Sequence, residues 1–441
     1  MKTARARVAW VSADGAVIEP EIEKRFKDAH YAFGTTRDHD VLVIDARKRS
    51  LSSEDGTSIS ALLQKLDSAR PVAVLINQKP QNQAQARLSS VARTFPTPEN
   101  PEIAGAIALD ACRRLLRRSA LNSEVGERVK TLAAFNALEM APEHPLRDPL
   151  RVLLAGAPSP TALRAMAALR SAGLEVEAAF TAAEALRAHD FDLVDALVVL
   201  PYGPSDPLCG FASSRIERLL PTAPPAMLIA NAPHVNTCPA SLIESDLATR
   251  VEIMAREAQQ ERMLISFLEK HSIKNVRDDL SEVAETRFFT RHAQRLFKSA
   301  KENDRAVALI GVSLNADEFR AASANARIAP LRRAAQSIKS ASRAYDLVGH
   351  IGASTFMVTA PGAQPDDANA IADRYAGVLA AAPFEIGEGC ETGSKPFMIE
   401  PATAAISSVG DGPLEEAAAD VLSQLRARTG TPVQAASAAI S

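Results

Sequence analysis

Short apolar runs at intervals, separated by helix-length stretches, restrict the fold of this chain more than any other feature. Val8–Val11, Val41–Ile44 and Pro71–Asn77 are too short for buried helices, and a helix-like segment near Ile22–Phe26 lies between the first two. Strands alternating with helices imply a parallel sheet, because parallel neighbours need a crossover. Arg113–Leu138 reads as a helix, and Ala141–Pro149, with three prolines, as a linker. The rhythm then restarts. Arg151–Leu154, Ala196–Leu200 and Ala226–Ile229 are buried-strand candidates separated by helical segments such as Pro160–Ala172. The two copies share architecture but little sequence.

From Asp246 a long helix carries Leu247, Val251, Met254, Ala258, Ile265 and Leu268 near one face. Its uncapped continuation towards His271 predicts a connecting or dimerising helix. A third region starts near Arg277. Arg287–Ala300 is helical, Val307–Leu314 a strand, and Ala329–Ser342 an amphipathic helix opened by Pro330. Leu347–Ile351 and Ser354–Val358 flank Gly352-Ala353 as a hairpin with a two-residue turn. Asp367–Ala381 is a further helix, Phe397–Ser407 holds a strand, and the small, polar stretch from Thr429 reads as a frayed tail. The predicted domains are 1–140, 149–270 with the connecting helix, and 275–430.

A chain of 441 residues is long enough for two or three such domains, and a 46% hydrophobic fraction supplies their cores. A net charge of −3 leaves no footprint for nucleic acid, and no basic recognition helix follows the second copy. Cys112, Cys209, Cys238 and Cys390 are scattered, and the eight histidines fall at no ligand spacing. Isolated thiols fit a reducing cytoplasm. The first residues lead directly into a strand without a signal-like apolar stretch, and no run nears the roughly 20 apolar residues of a membrane helix. The expectation is a cytoplasmic protein with no metal, no cofactor and no membrane insertion.

Two successive five-stranded α/β units ahead of a third domain resemble the receiver domains of response regulators. The resemblance implies flavodoxin-like folds. It also implies an acidic Mg²⁺ site after the first strand, a phosphoacceptor aspartate ending the third, and a lysine before a proline after the fifth. In the first unit Asp45 stands at the phosphoacceptor position. Ser12-Ala13 replaces the acidic pair, only Asp14 is nearby, and Arg93–Pro98 contains no Lys-Pro. Asp45 is therefore a candidate phosphoacceptor beside the simpler reading of a strand-end aspartate. In the second unit Ala155-Gly156 replaces the acidic pair and Leu200 the phosphoacceptor, which leaves dimerisation or adaptor docking as its expected role.

Asp278-Asp279-Leu280-Ser281-Glu282-Val283 resembles a worn form of the Asp-x-Leu-Thr-Gly-Leu opening of GGDEF domains, the α+β, nucleotidyl-cyclase-like domains of diguanylate cyclases. The Gly-Gly-Asp/Glu-Glu-Phe hairpin motif corresponds to Gly352-Ala353-Ser354-Thr355-Phe356. The resemblance implies two Mg²⁺ ions held by carboxylates at the central strand's end and at the motif's third position. Gly311 and Ser354 stand there, and Phe319 and Ile328 replace the Asn and Asp that read guanine. Ala353 breaks the glycine pair. A one-residue slip to Ser313, Asn315 or Asp317 would rescue one position but not all five. The expectation is a domain without catalysis, since in-line displacement loses its charge stabilisation without metals.

The same family carries an inhibitory site for cyclic di-GMP built on Arg-x-x-Asp, beginning nine residues before the first motif glycine. Arg343 and Asp346 stand there, and Arg374, 22 residues after Gly352, matches a further arginine of that site. A guanidinium fork binds guanine O6/N7 or phosphate, and a carboxylate accepts from the guanine N–H edge. As a bare pattern Arg-x-x-Asp has little value: it also occurs at Arg25–Asp28, Arg37–Asp40 and Arg187–Asp190, where a surface ion pair of about 0.2–0.5 kcal/mol suffices. Position separates the fourth copy.

The full order is similar to that of PopA-type cyclic di-GMP effectors, paralogues of the cyclase PleD. The resemblance implies a homodimeric scaffold of cell-cycle signalling at a cell pole, delivering regulators to the ClpXP protease through the adaptor RcdA. Two other readings stay open: a weak cyclase with displaced ligands, and a ligand-independent structural scaffold.

Overall fold

The computed structural model describes residues 6–12, 17–29, 31–34, 40–47, 72–77, 93–97, 100–137, 148–181, 184–185, 194–201, 225–229, 237–238, 240–270, 276–303, 305–315, 319, 321–323, 325–352, 354–381, 384–385, 396–397, 400–409 and 414–429. Residues 6–118 with 143–264 form one compact unit; 119–142 and 265–441, with the first five residues, form the other.

In the first unit, β1 (Ala6–Ser12), β2 (Tyr31–Phe33), β3 (Val41–Ala46), β4 (Val72–Asn77) and β5 (Arg93–Thr97) make a sheet ordered β2-β1-β3-β4-β5. Every pairing is parallel. Helix α1 (Pro20–Asp28) starts on a proline, whose missing N–H costs nothing there, with acids in its first turn and bases in its last. Ile22 and Phe26, one turn apart, are its buried residues, and Phe26 meets the rings of Trp10, Tyr31 and Phe33 at 5.7–6.1 Å. Helix α2 (Pro101–Ala134) follows β5.

The second sheet repeats the plan. β6 (Arg151–Gly156), β7 (Glu175–Ala179), β8 (Ala196–Leu200), β9 (Ala226–Ile229) and β10 (Thr237–Cys238) run β10-β9-β8-β6-β7, again all parallel. Both sheets thus have the flavodoxin-like order 2-1-3-4-5, and each opens with a strand–helix–strand unit among the described residues. Helix α3 (Pro160–Ser171) is capped by Ser159, whose hydroxyl accepts from Ala162 N at 3.1 Å. Helix α4 (Ala248–Lys270) is the expected long helix. Its Leu247-to-Leu268 face is mostly core: Leu247, Val251, Met254, Ile265 and Leu268 are buried.

The second unit is built on α5 (Thr286–Glu302), β11 (Ala306–Asn315), α6 (Ile328–Ala341), β12 (Leu347–Gly352), β13 (Thr355–Pro361), α7 (Pro365–Ala380), β14 (Phe384–Glu385), β15 (Pro396–Phe397), β16 (Glu400–Val409) and α8 (Leu414–Thr429). Its main sheet, β12-β13-β11-β16, is antiparallel throughout, with βαββαβ connectivity, and β14 pairs with β15 apart from it. The alternation of β11 feeds two cores. Ala308, Ile310, Val312 and Leu314 share one cluster with α6 and α7, while Val307 and Leu309 share the other with α5 and α8.

Some local expectations shift. Helix α2 begins at Pro101, twelve residues before the predicted Arg113, because the added turns bury small residues (Ala104, Ala108, Ala111) that give no strong apolar period. In the hairpin, Gly352 pairs with Thr355, so β12 runs one residue into the expected Gly352-Ala353 turn. Ala353 itself lies outside the described residues.

Candidate ligand site

Arg343, Asp346 and Arg374 come together where α6 ends and β12 begins, with α7 alongside. The chain leaves α6 at Ser342, turns, and enters β12 at Leu347, so the turn must present residues 343–346 together. Asp346 fixes that turn: its N–H donates to Arg343 O at 3.0 Å, and its Oδ2 accepts from Arg343 N at 2.8 Å. The other oxygen, Oδ1, is buried and finds no hydrogen-bond partner among the described residues. Such an atom costs free energy unless something else satisfies it. Burial pushes the Asp346 pKa up to about 6, against the attraction of Arg343 and Arg374, while the carboxylate of Glu124 adds to the rise.

The half-buried Arg343 guanidinium lies over the Tyr345 ring, 5.7 Å from its centre, and Nη1 donates weakly to the phenol at 3.4 Å. Among the described residues it closes no ion pair with a carboxylate, although Asp346 and Asp367 are near enough to favour its charge. Arg374 projects from α7, is exposed, and stands against Tyr375, 5.8 Å from the ring centre. A carboxylate with one unused acceptor beside two arginines suits an anionic ligand that also has N–H groups, once that oxygen is uncovered.

The cyclase-like positions look different. Gly311, expected at the end of the central strand, lies instead four residues inside β11, opposite Met357 and Ala404, where a Cβ would meet Val421 Cγ1 at 2.5 Å and Leu425 Cδ1 at 2.8 Å of the α8 core; the ungapped count from the hairpin overshot the strand end. Ser354 gives its carbonyl to Leu314 N at 2.9 Å. Phe319 is buried under the Arg327 guanidinium, and Ile328 opens α6. Ser313 is buried near the end of β11 and Asn315 closes the strand; Asp317 lies outside the described residues. Among the described residues, no three His, Cys, Asp or Glu side chains are placed to hold a metal ion.

Two histidines to which the sequence assigned nothing are structural. His350 Nδ1 lies 2.9 Å from Asp278 Oδ1, which also accepts from Ser281 N and Oγ at 2.8 and 2.7 Å. Burial opposes ionisation of Asp278, but these bonds and His350 outweigh it and hold its pKa below the ordinary range. The worn Asp278–Val283 motif therefore anchors β12. His292 is fully buried between Thr131 Oγ1 at 3.2 Å and Glu124 at 2.9 Å, and Glu124 also pairs with Arg128. Residue 124 lies 168 positions from residue 292, so only the fold could reveal the pair.

In the first α/β sheet Asp45 stands opposite Ser12, at the carboxyl ends of adjacent strands. Both its oxygens are engaged by Arg47: Nε reaches Oδ1 at 2.9 Å, an Nη nitrogen reaches Oδ2 at 2.8 Å, and Arg47 N reaches Oδ1 at 3.2 Å. Arg47 is only 1% exposed and also bonds Glu19 at 2.8 Å. Residues Ala13, Asp14 and Pro98 lie outside the described residues. In the second sheet Gly156 faces Leu200, and a Cβ on Gly156 would meet the Leu200 carbonyl oxygen at 2.5 Å.

No protein-family model matches the chain, and no curated protein sequence matches it. Similar solved structures include the GGDEF domain of FimX from Pseudomonas aeruginosa (14% identity, 35% of this chain and 90% of that one, TM-score 0.30). The GGDEF domain of DgcB from Caulobacter crescentus, in complex with c-di-GMP, is another (12% identity, 34% and 88%, TM-score 0.31). The diguanylate cyclase SiaD from Pseudomonas aeruginosa, in complex with its activator SiaC, is a third (15% identity, 40% and 67%, TM-score 0.32). Among the described residues, no helix is long and apolar enough to cross a membrane.

Proposed function

We propose that the chain is a catalytically inactive cyclic di-GMP receptor and scaffold, with Arg343, Asp346 and Arg374 as ligand contacts. The observation that carries this reading is the unpartnered buried Oδ1 of Asp346 beside two arginines. The arginines would take phosphate or guanine O6/N7, and Asp346 would accept from the guanine N1–H and N2–H edge. A few such contacts suffice for micromolar binding, about −8 kcal/mol. Loss of catalysis is supported by Asn315, not a carboxylate, at the end of β11, and by Ser354, Phe319 and Ile328 at the other positions.

The two flavodoxin-like sheets serve in this reading as receiver-derived docking modules. The closed carboxyl-end crevice at Gly156–Leu200 supports a role without phosphotransfer in the second, and the engagement of Asp45 by Arg47 supports the same in the first. The resemblance to PopA-type effectors makes a polar homodimer, the adaptor RcdA and the ClpXP pathway the partners to test.

Calorimetry with cyclic di-GMP on the wild type and Arg343→Gly tests the receptor reading. Micromolar binding by the wild type and a loss of tenfold or more in the variant are expected. Absent or equal binding would refute it. Cyclic di-GMP formed from GTP with Mg²⁺ or Mn²⁺ would favour the cyclase instead.

A further inference from the structure

We infer that Ser342 and Tyr375 form a brace that sets the separation of Arg343 and Arg374, and that both are positioning residues for a ligand touching the two arginines together. The inference rests on the cyclic di-GMP reading above. Ser342 and Tyr375 are the chain neighbours of Arg343 and Arg374, and their hydroxyl oxygens are 2.8 Å apart. The direction of the bond follows from its surroundings. Ser342 Oγ lies 2.7 Å from the Ile338 carbonyl oxygen, to which it donates. A hydroxyl has one hydrogen, so Tyr375 must be the donor in the contact with Ser342.

The brace is well placed to position rather than only to fill space. Tyr375 is fully buried in the cluster under the sheet, so its ring is held by packing, and its hydroxyl meets Ser342 at the end of α6. Burial and the nearby Asp346 carboxylate raise the phenol pKa, while the Ser342 hydrogen bond and the Arg374 charge oppose the rise. Arg374 stands against the ring of Tyr375, whose hydroxyl ties α7 to the residue preceding Arg343. On the other side Arg343 rests on Tyr345. Two long side chains are thus referred to one fixed point, which lowers the ordering cost of a ligand that must meet both.

The test is calorimetry with cyclic di-GMP on the full chain carrying Tyr375→Phe, Ser342→Ala, both together, or Ser342→Thr. Each of the first two is expected to weaken binding about five- to tenfold, the double variant no more than either, and Ser342→Thr to bind like the wild type. Circular dichroism at the assay temperature establishes that each variant is folded. Wild-type affinity in Tyr375→Phe and Ser342→Ala, or losses that multiply in the double variant, would overturn the brace. Failure of the wild type to bind would overturn the receptor reading. Binding that needs Arg343 but ignores Tyr375→Phe and Ser342→Ala would overturn the brace alone.

Discussion

At Asp346, burial and two neighbouring arginines pull in opposite directions, and burial prevails, raising the pKa to about 6. A carboxyl whose folded pKa exceeds its unfolded value favours the fold when protonated. That contribution is complete below the ordinary carboxylate range and is lost as pH rises through about 6. Ligand binding has the reverse demand, since the ionised oxygen is the better acceptor for guanine N–H groups. Affinity for cyclic di-GMP is expected to fall severalfold between pH 7 and pH 5, measured by calorimetry in matched salt. Asp346→Asn is expected to bind weakly while gaining about 1 kcal/mol of stability at pH 7 in urea titrations. Asp45 was legible from sequence as a strand-end carboxylate, but its partner was not. With both oxygens on a buried guanidinium, it is expected to take no phosphoryl group from acetyl phosphate with Mg²⁺, as read by intact mass. An 80-Da adduct on Asp45, the mass of roughly one phosphoryl group, would contradict this.

Among the elements, residues 119–134 of α2 show most clearly how a helix can be predicted and its role missed. Its apolar pattern gave a helix over Arg113–Leu138, yet Glu124 and Thr131 gave no sign of a partner. In the fold Glu124 is fully buried against His292 of α5 and Arg128, and Phe135 packs edge-on against Phe288 at 5.4 Å. Burial disfavours the Glu124 charge, but Arg128 and His292 outweigh it and lower its pKa. Its stabilisation is therefore present above the ordinary carboxylate pKa and lost as pH falls below it. Glu124→Ala would leave the buried Arg128 guanidinium unpaired and His292 without its carboxylate partner, and is expected to cost about 3–5 kcal/mol, measured by chemical denaturation at pH 7. The hairpin was legible because its glycine and flanking apolar runs are adjacent in sequence. The short strands β2, β5, β7 and β10 were not, because they carry no continuous apolar run of the kind that marks the equally short β8 and β9.

On the scale of the molecule, the second compact unit draws on separated parts of the chain, 119–142 and 265–441 among them. A fragment beginning at residue 265 contains the whole antiparallel sheet but lacks Glu124, Thr131, Leu132 and Phe135, which His292 and the α5–α8 core use. Its melting temperature by circular dichroism is expected to fall well below that of the intact chain, and a fragment as stable as the full protein would contradict this. The sequence by itself determined the alternating apolar runs of the first two regions and the hairpin of the third, because periodicity and turn chemistry are local properties, while Arg343, Asp346 and Arg374 were singled out by a resemblance. Only the tertiary structure decided that Arg47 covers Asp45, that Val421 and Leu425 fill the space beside Gly311, that Tyr375 donates to Ser342, and that residues 119–134 pack with α5. Most of these contacts join residues tens to hundreds of positions apart, and even Asp45–Arg47 depends on a burial that local sequence does not encode.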